Sequence, residues 1–377
     1  KFSITDAIKM KLDANSRISL SNNDGGGTNG DSSTTGNTIL GYGIGDTVTD
    51  TINNTFIGHK VAGGGTKTSG TQNNVGVGNL TMYALTSGAN NTAVGKSALN
   101  AIDTGEKNVM IGATAGDAID GETNNVGIGY GAMGGAVNGA DKCIAIGSDS
   151  LSGAITQDGT IAIGHDSLAA LTSGAGNTAM GYQAGMALVT GGSNTVVGYH
   201  ALKAAAVGET GNIAIGESAM TSADEGTAGG DIDNNIAIGI NAFTCGDLAG
   251  NDRQVTGNIA IGANAVNSTG ANAQTGTIGI GQDALTALTT GADNLAIGYT
   301  ALAANTTALG NLAIGRNALN DLNHANSVRN LAIGAYAGDQ MGTADGNLDN
   351  IFIGYSAGGG DWHASNATQY NVGIGNY

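Results

Sequence analysis

Apolar and small residues alternate over short stretches of this chain, and each stretch ends at a glycine. In the copy Asn-Ile-Ala-Ile-Gly that spans residues 212–216, two isoleucines flank an alanine. A repeat of two residues is typical of a β-strand whose two faces differ. The pattern therefore predicts one short strand in each copy, with large apolar side chains on one face and small ones on the other.

The same five-residue core recurs along nearly the whole chain, usually every 17 or 18 residues and at most every 23. Its closing residues, called the anchor glycines below, are Gly41, Gly58, Gly78, Gly95, Gly112, Gly129, Gly147, Gly164, Gly181, Gly198, Gly216, Gly239, Gly262, Gly281, Gly298, Gly315, Gly334, Gly354 and Gly375. One such strand cannot bury its apolar face alone, whereas stacked copies can. The predicted fold class is therefore all-β, a parallel β-solenoid or β-roll of about nineteen coils of 17–23 residues.

Each position of the core has its own expected role. We expect the larger face to point into the coil, with Ile215, Ile238 and Ile261 stacked as one internal ladder. The small face, which includes Ala237 and Ala260, is then expected to contact another chain. Asparagine opens sixteen of the nineteen cores, which suits a ladder of side-chain amides. The anchor glycine is expected to supply a positive φ or a close backbone approach.

The first residues do not fit the repeat. Residues 1–36 are predicted to be an N-terminal cap or attachment segment with a linker, and residues 37–377 the solenoid domain. Within the first segment, residues 5–12 are predicted to form a helix and residues 17–21 a strand. The last core closes at Gly375, so we expect the native chain to continue beyond Tyr377 or another subunit to cover this end.

Composition excludes several classes of protein. The chain has 67 glycines but no proline, which argues against collagen. Its 13 Lys and Arg against 30 Asp and Glu give a net charge of −17, so neither nucleic acid nor an anionic membrane surface is an expected partner. No apolar run reaches the ~18 residues of a membrane span, so membrane insertion is not expected. Two cysteines cannot form a disulfide framework.

Motifs that suggest chemistry coincide with the repeat itself. Residues 354–358 match G-x-S-x-G and residues 129–134 match G-x-G-x-x-G, but both contain an anchor glycine. The five histidines lie on separate coils. Acidic stretches at 231–235 and 345–350 could bind calcium weakly, although solvated loops are the favoured interpretation because no complete calcium loop is present. No enzyme activity, catalytic residue, metal or cofactor is therefore predicted.

The quoted core resembles the head repeats of trimeric autotransporter adhesins, whose motif is close to Asn-Ser-Val-Ala-Ile-Gly, and is similar to fibre repeats of bacteriophage tail proteins. The resemblance covers nearly everything from residue 37 to 375. It implies a left-handed β-roll, three chains packed side by side as a homotrimer, and an extracellular location on a virion tail or bacterial cell surface. The coil here is longer than that of the adhesins, which favours the phage fibres.

The function predicted from these observations is a non-enzymatic structural or adhesive fibre segment that attaches to a glycan or protein receptor on a cell surface. Two alternatives stay open: a self-assembling extracellular filament, and a glycan-cleaving tailspike. Insertions into a coil mark candidate contact surfaces, since binding residues concentrate in loops. They occur at 221–235, 244–258 and 359–370, and the last carries the candidate surface contacts Trp362, His363 and Tyr370.

Overall fold

The computed structural model describes most of the chain, which divides into two compact units, unit 1 (Lys1–His165) and unit 2 (Asp166–Tyr377). The described residues are 2–4, 7–12, 18–19, 36–44, 51–68, 70–205, 207–223, 231–245, 254–269, 272–341, 346–359 and 369–376. Within these ranges every regular element is a strand, which confirms the all-β prediction.

Unit 1 begins with a small antiparallel sheet and continues as a parallel solenoid. Its strands are β1 Phe2–Ile4, β2 Ala7–Leu12, β3 Ile18–Ser19, β4 Thr38–Tyr42, β5 Thr55–His59, β6 Val75–Asn79, β7 Thr92–Val94, β8 Val109–Ile111, β9 Val126–Ile128, β10 Ile144–Ile146 and β11 Ile161–Ile163. Strands β4 to β11 pair in order, each parallel to the next. Equivalent residues of successive copies, such as Ala145 and Ala162, lie side by side.

The helix predicted at residues 5–12 is wrong. Strand β2 pairs with β1 and β3 in antiparallel fashion. Its sequence alternates apolar Ile8, Met10 and Leu12 with two lysines, which is the two-residue period of a strand rather than that of a helix. The strand predicted at residues 17–21 is confirmed for Ile18–Ser19.

Unit 2 repeats the parallel arrangement. Its strands are β12 Thr178–Met180, β13 Thr195–Val197, β14 Ile213–Ile215, β15 Asp231–Asp233, β16 Ile236–Ile238, β17 Gln254–Thr256, β18 Ile259–Ile261, β19 Gln274–Thr275, β20 Ile278–Ile280, β21 Leu295–Ile297, β22 Leu312–Ile314, β23 Leu331–Ile333, β24 Ile351–Ile353 and β25 Val372–Ile374. Strands β15, β17 and β19 form a second parallel sheet in three successive coils, of which the first two are the longest in the chain, and the other eleven form the main sheet. Together the two units make about seventeen closed turns.

The small residue of each core points inward, which reverses the expected orientation of the two faces. Ala237 and Ala260 are fully buried, whereas Ile215, Ile238 and Ile261 on the neighbouring positions remain partly exposed. The interior opposite the alanine is already filled by buried leucines such as Leu285. A coil of this length encloses too little space for two isoleucines per strand, so the larger side chains lie outside.

Side-chain size is balanced from coil to coil along this inward column. The bulky residues Phe56 and Met110 are paired in register with Gly76 and Gly127 of the next coil. A Cβ added to Gly127 would collide with the Met110 sulfur, and one added to Gly76 would crowd the Phe56 ring. Each large side chain thus occupies the space that the following glycine leaves free.

The buried asparagines form the predicted amide ladder. Asn235 donates from its backbone N–H and its Nδ2 to Oδ1 of Asn212, at 3.0 and 3.2 Å. Its own Oδ1 accepts the same two bonds from Asn258, and its Nδ2 also donates to the carbonyl of Val255 at 2.7 Å. The amide is fully hydrogen-bonded although it is buried, and it connects three successive coils.

Anchor glycines meet both expected requirements. Their φ angles lie between 127° and 146°, a region that side chains rarely enter. A Cβ added to Gly216 would collide with the carbonyl oxygen of Gly239 in the next coil. Glycine is therefore needed for the backbone angle and for the approach of neighbouring coils.

We predict that Asn235→Asp destabilises the fold by about 3 kcal/mol or more. The substitution removes the Nδ2 donor and places a buried charge facing the oxygens of Asn212 and Val255. The matched control is Asn234→Asp, which changes the same charge at an exposed neighbour whose left-handed backbone aspartate tolerates. Urea unfolding of both variants checks this, and equal midpoints would contradict a stabilising ladder.

Candidate functional site

Of the three predicted contact residues, only Tyr370 lies among the described residues; Trp362 and His363 lie outside them. Tyr370 is 73% exposed, and its backbone N–H donates to the carbonyl of Leu348 at 3.2 Å. It follows Arg329 and Asp349 in the column that precedes the amide ladder. Those two side chains form a bidentate pair with both N–O distances at 2.8 Å. The hydrogen bonds from Arg329 lower the pKa of the Asp349 carboxyl.

An open groove of about 670 Å³ lies beside this column. Its lining residues include Leu309, Val328, Arg329, Leu348 and Gln369. Gln369 is the residue before Tyr370, so the predicted contact segment borders the groove. The aliphatic side chains suit an apolar ligand group, while the guanidinium of Arg329 is already bonded to Asp349.

The two long coils on either side of Gly239 are only partly loop. Residues 231–233 and 254–256, expected within loop insertions, form the wall strands β15 and β17. The Asp233 carboxylate accepts the Thr210 N–H at 2.7 Å, and burial raises the pKa of this carboxyl. Gln254 donates to Asp231 at 3.3 Å. These acidic groups therefore belong to the coil wall, and the loop interpretation is wrong for them.

The serine of the G-x-S-x-G match lies in the turn after β24. Ser356 has a φ of 51°, and its N–H donates to the Ala335 carbonyl at 2.9 Å. In the preceding pair of coils, the N–H of Tyr336 makes the equivalent bond to the carbonyl of Arg316. The motif is thus accounted for by the repeat.

The four histidines among the described residues lie at the surface of the coils. The rings of His59 and Tyr42 stack at 5.7 Å between centroids, with 13° between their planes. A ring nitrogen of His165 lies within 4.8 Å of a carboxylate oxygen of Asp149.

Tyrosines concentrate at one corner of the coil, a feature that the sequence predictions missed. Eight of the ten tyrosines lie one or two residues after an anchor glycine, and the seven of these within the described residues are Tyr42, Tyr130, Tyr182, Tyr199, Tyr299, Tyr336 and Tyr355. Neighbouring copies stack, as in Tyr182 and Tyr199 at 5.3 Å and 12°. Aligning the sequence on the anchors would have revealed this column, because tyrosine directly follows the glycine in six copies.

One part of this corner also carries a cation. Arg316 lies with its Cζ 5.6 Å from the ring centroid of Tyr299 and 5.9 Å from that of Tyr336. Tyr336 meets Tyr355 edge to face at 5.9 Å. These four residues, called the Tyr–Arg strip below, lie on four successive coils of unit 2.

Buried ionisable side chains elsewhere offer little reactivity. Burial raises the pKa of the Cys245 thiol to about 12 and also raises that of Cys143, so both remain protonated at neutral pH. Lys67 is buried, its Nζ donates to the Gly65 carbonyl at 2.6 Å, and burial lowers its pKa to about 8 against the opposing effect of Asp103. A lowered lysine pKa occurs at some functional sites, but no second reactive group accompanies this one among the described residues.

Comparisons with known proteins give no relative. No protein-family model matches the chain, and no significantly similar curated protein was found. In the part of the chain that the structure describes, no helix is long and apolar enough to cross a membrane.

We predict that Lys67 contributes stability to unit 1 that increases as the pH rises from about 8 to 10.5. In this window the folded Lys67 has lost its proton while the unfolded lysine, with an ordinary pKa of 10.5, still holds it. The unfolded state therefore binds more protons, so raising the pH favours the folded state. Urea midpoints across this range should rise more steeply for the native chain than for Lys67→Met. Parallel curves would show that the amine is not buried.

The contact segment gives a second prediction. Residues 369 and 370 belong to the coil wall. Gln369 forms a parallel β-bridge with Leu348, and the N–H of Tyr370 donates to the carbonyl of the same leucine. Deleting residues 361–364, which include Trp362 and His363, should therefore leave the coils folded while weakening attachment to the natural target surface. Circular dichroism checks the fold and a cell-binding assay the attachment. Undiminished attachment would remove Trp362 and His363 as contacts.

Proposed function

We propose that this protein is a non-enzymatic structural and adhesive fibre segment that works outside the cell, on a virion tail or a bacterial surface, and attaches to a cell-surface receptor. The repeated coils support a rigid, extended role, because each coil contacts mainly its neighbours. The resemblance of the core to adhesin heads and phage fibres supports the same role. The homotrimer and the full set of nineteen coils are part of this proposal.

The outward-facing isoleucines carry the proposal. Eight consecutive strands of the main sheet in unit 2, from β14 to β24, each place two Ile or Leu side chains on the outer face. The two columns lie about 7 Å apart and extend for about 34 Å at the usual strand spacing. A continuous apolar strip without charged residues is a candidate interaction surface.

Charge favours a second copy of the same chain as the partner. Each chain carries a net charge of −17, so two copies repel one another over most of their surface. The outer face of these eight strands holds no ionisable residue. Copies can therefore approach along it and exclude water from both columns at once. Side-by-side packing about a shared axis is the arrangement that the family resemblance implies.

We predict that Ile238→Glu converts the assembly to monomers while the strand content stays unchanged. The side chain lies on the outer face, so the charge prevents apolar packing between chains but can be solvated in the monomer. Ala237→Glu is the matched control: the same group would enter the filled interior, with a loss of several kcal/mol in folding free energy.

Light scattering and circular dichroism of the native chain and both variants check this prediction. A native mass of three chains, a monomeric Ile238→Glu and a poorly folded Ala237→Glu are expected. A native monomer would contradict the fibre assembly. Release of reducing sugar from bacterial polysaccharide would contradict the non-enzymatic role and favour a tailspike.

A further inference from the structure

We propose that the Tyr–Arg strip binds an extended acidic polysaccharide. This inference rests on the proposed attachment function, for which it names the class of receptor. The strip consists of Tyr299, Arg316, Tyr336 and Tyr355, which lie at the corner of the coil just after the anchor glycines. It is separate from the groove beside Tyr370, because that groove lies before the amide ladder on the other side of the strand.

The aromatic rings of the strip are available to a ligand. Tyr299 is 46% exposed and Tyr355 is 56% exposed, and Arg316 is exposed between its two tyrosines. A tyrosine ring presents an apolar face and a polar edge, which matches the apolar C–H face and the polar rim of a sugar ring. Tyr336, which lies between Tyr299 and Tyr355 along the stack, is half-buried and meets Tyr355 edge to face. The two exposed rings therefore favour a carbohydrate over a purely apolar ligand.

The spacing of the strip suits a polymer rather than a single sugar. Tyr299 and Tyr336 are separated by one coil, so they lie about 10 Å apart along the stack, or two strand spacings. Tyr355 extends the strip by one further coil. Sugar rings recur regularly along an extended polysaccharide. Several of them can therefore contact the strip at once, while the coils hold the tyrosines in place. A preorganised surface loses little entropy on binding.

Arg316 selects for negative charge. Its guanidinium contacts only the two tyrosine rings, and no hydrogen bond or ion pair to it occurs among the described residues. Arg329 differs, because Asp349 occupies its guanidinium through two hydrogen bonds. The N–H groups of Arg316 therefore remain available for a carboxylate, which a guanidinium binds in bidentate fashion. In so acidic a chain, an unpaired arginine between aromatic rings is a specific feature of this surface.

Binding of defined polysaccharides to the full chain tests the proposal. Hyaluronan and polygalacturonate oligosaccharides serve as acidic probes, and a chitin oligosaccharide serves as the neutral probe. We expect at least one acidic probe to bind and the neutral probe to bind at least tenfold more weakly. If neither acidic probe binds, or if the neutral probe binds equally well, the proposal is wrong.

Matched variants locate the site. Arg316→Gln and Tyr299→Ala should each weaken acidic binding about tenfold, as expected for loss of a charge-assisted bond or a stacked ring. Arg316→Lys should restore only part of the loss, because an ammonium lacks the planar fork. Lys96→Gln removes the same charge from an exposed residue directly after an anchor glycine in unit 1, and Tyr130→Ala removes an exposed tyrosine at the same corner there, so both should bind within twofold of the native chain.

Two further outcomes would overturn the assignment. Equal losses in Arg316→Gln and Lys96→Gln would show that overall charge, rather than the strip, governs binding. A changed oligomer mass in Arg316→Gln would show that the strip is a contact between chains. Failure of the fibre proposal is recognised separately, because Ile238→Glu tests self-association without altering the strip. If the native chain is a monomer and still binds the acidic probes, this inference stands and the proposed assembly is wrong.

Discussion

The buried asparagine amide is the interaction on which the rest of the architecture depends. Most of these amides bond to the equivalent asparagine of a neighbouring coil through both a backbone N–H and a side-chain Nδ2, so a shift of one residue would leave several buried polar atoms without partners. The ladder thereby fixes the register of neighbouring strands. Because register is fixed, any residue type that recurs at one position becomes a continuous column on the surface or in the interior.

Two properties of the surface follow from this register. Isoleucines repeated on the outer positions become an apolar face, and tyrosines repeated after the anchor glycine bring aromatic rings into contact between neighbouring coils. Neither is an isolated side chain whose position depends on a flexible loop. Attachment and assembly can therefore use different faces of one coil, the apolar face for contact between chains and the corner for a ligand.

The sequence predicted the ladder and the anchor glycines because each depends on the chemistry of one residue type. It did not predict which face points inward, because hydrophobicity alone places isoleucine inside. The deciding quantity is the width of the coil interior, which the buried leucines opposite the strand already fill. A signal was present in the sequence: Phe56 and Met110 are each followed one copy later by glycine, as expected only for a crowded interior column.

The backbone conformation at the corners of the coil also could not be predicted from the sequence. Leu99 and Leu319 adopt φ angles near 50°, although leucine rarely occupies the left-handed region. Stacking of successive coils stabilises these angles, so they depend on the assembled solenoid and not on local preference. The candidate contact at Tyr370 was predicted to be exposed and is exposed. The tyrosine column was not predicted, because contact residues were expected only in inserted loops.

The alternation of large and small inward residues limits how such an array can change in length during evolution. Duplicating the coil that contains Met110 would set two methionines side by side in an interior with room for one. Duplicating a coil between Ala296 and Ala313 would create no such conflict. Gains and losses of coils by recombination between copies should therefore concentrate in the alanine-rich stretch, while the bulky residue and its glycine are inherited as a pair.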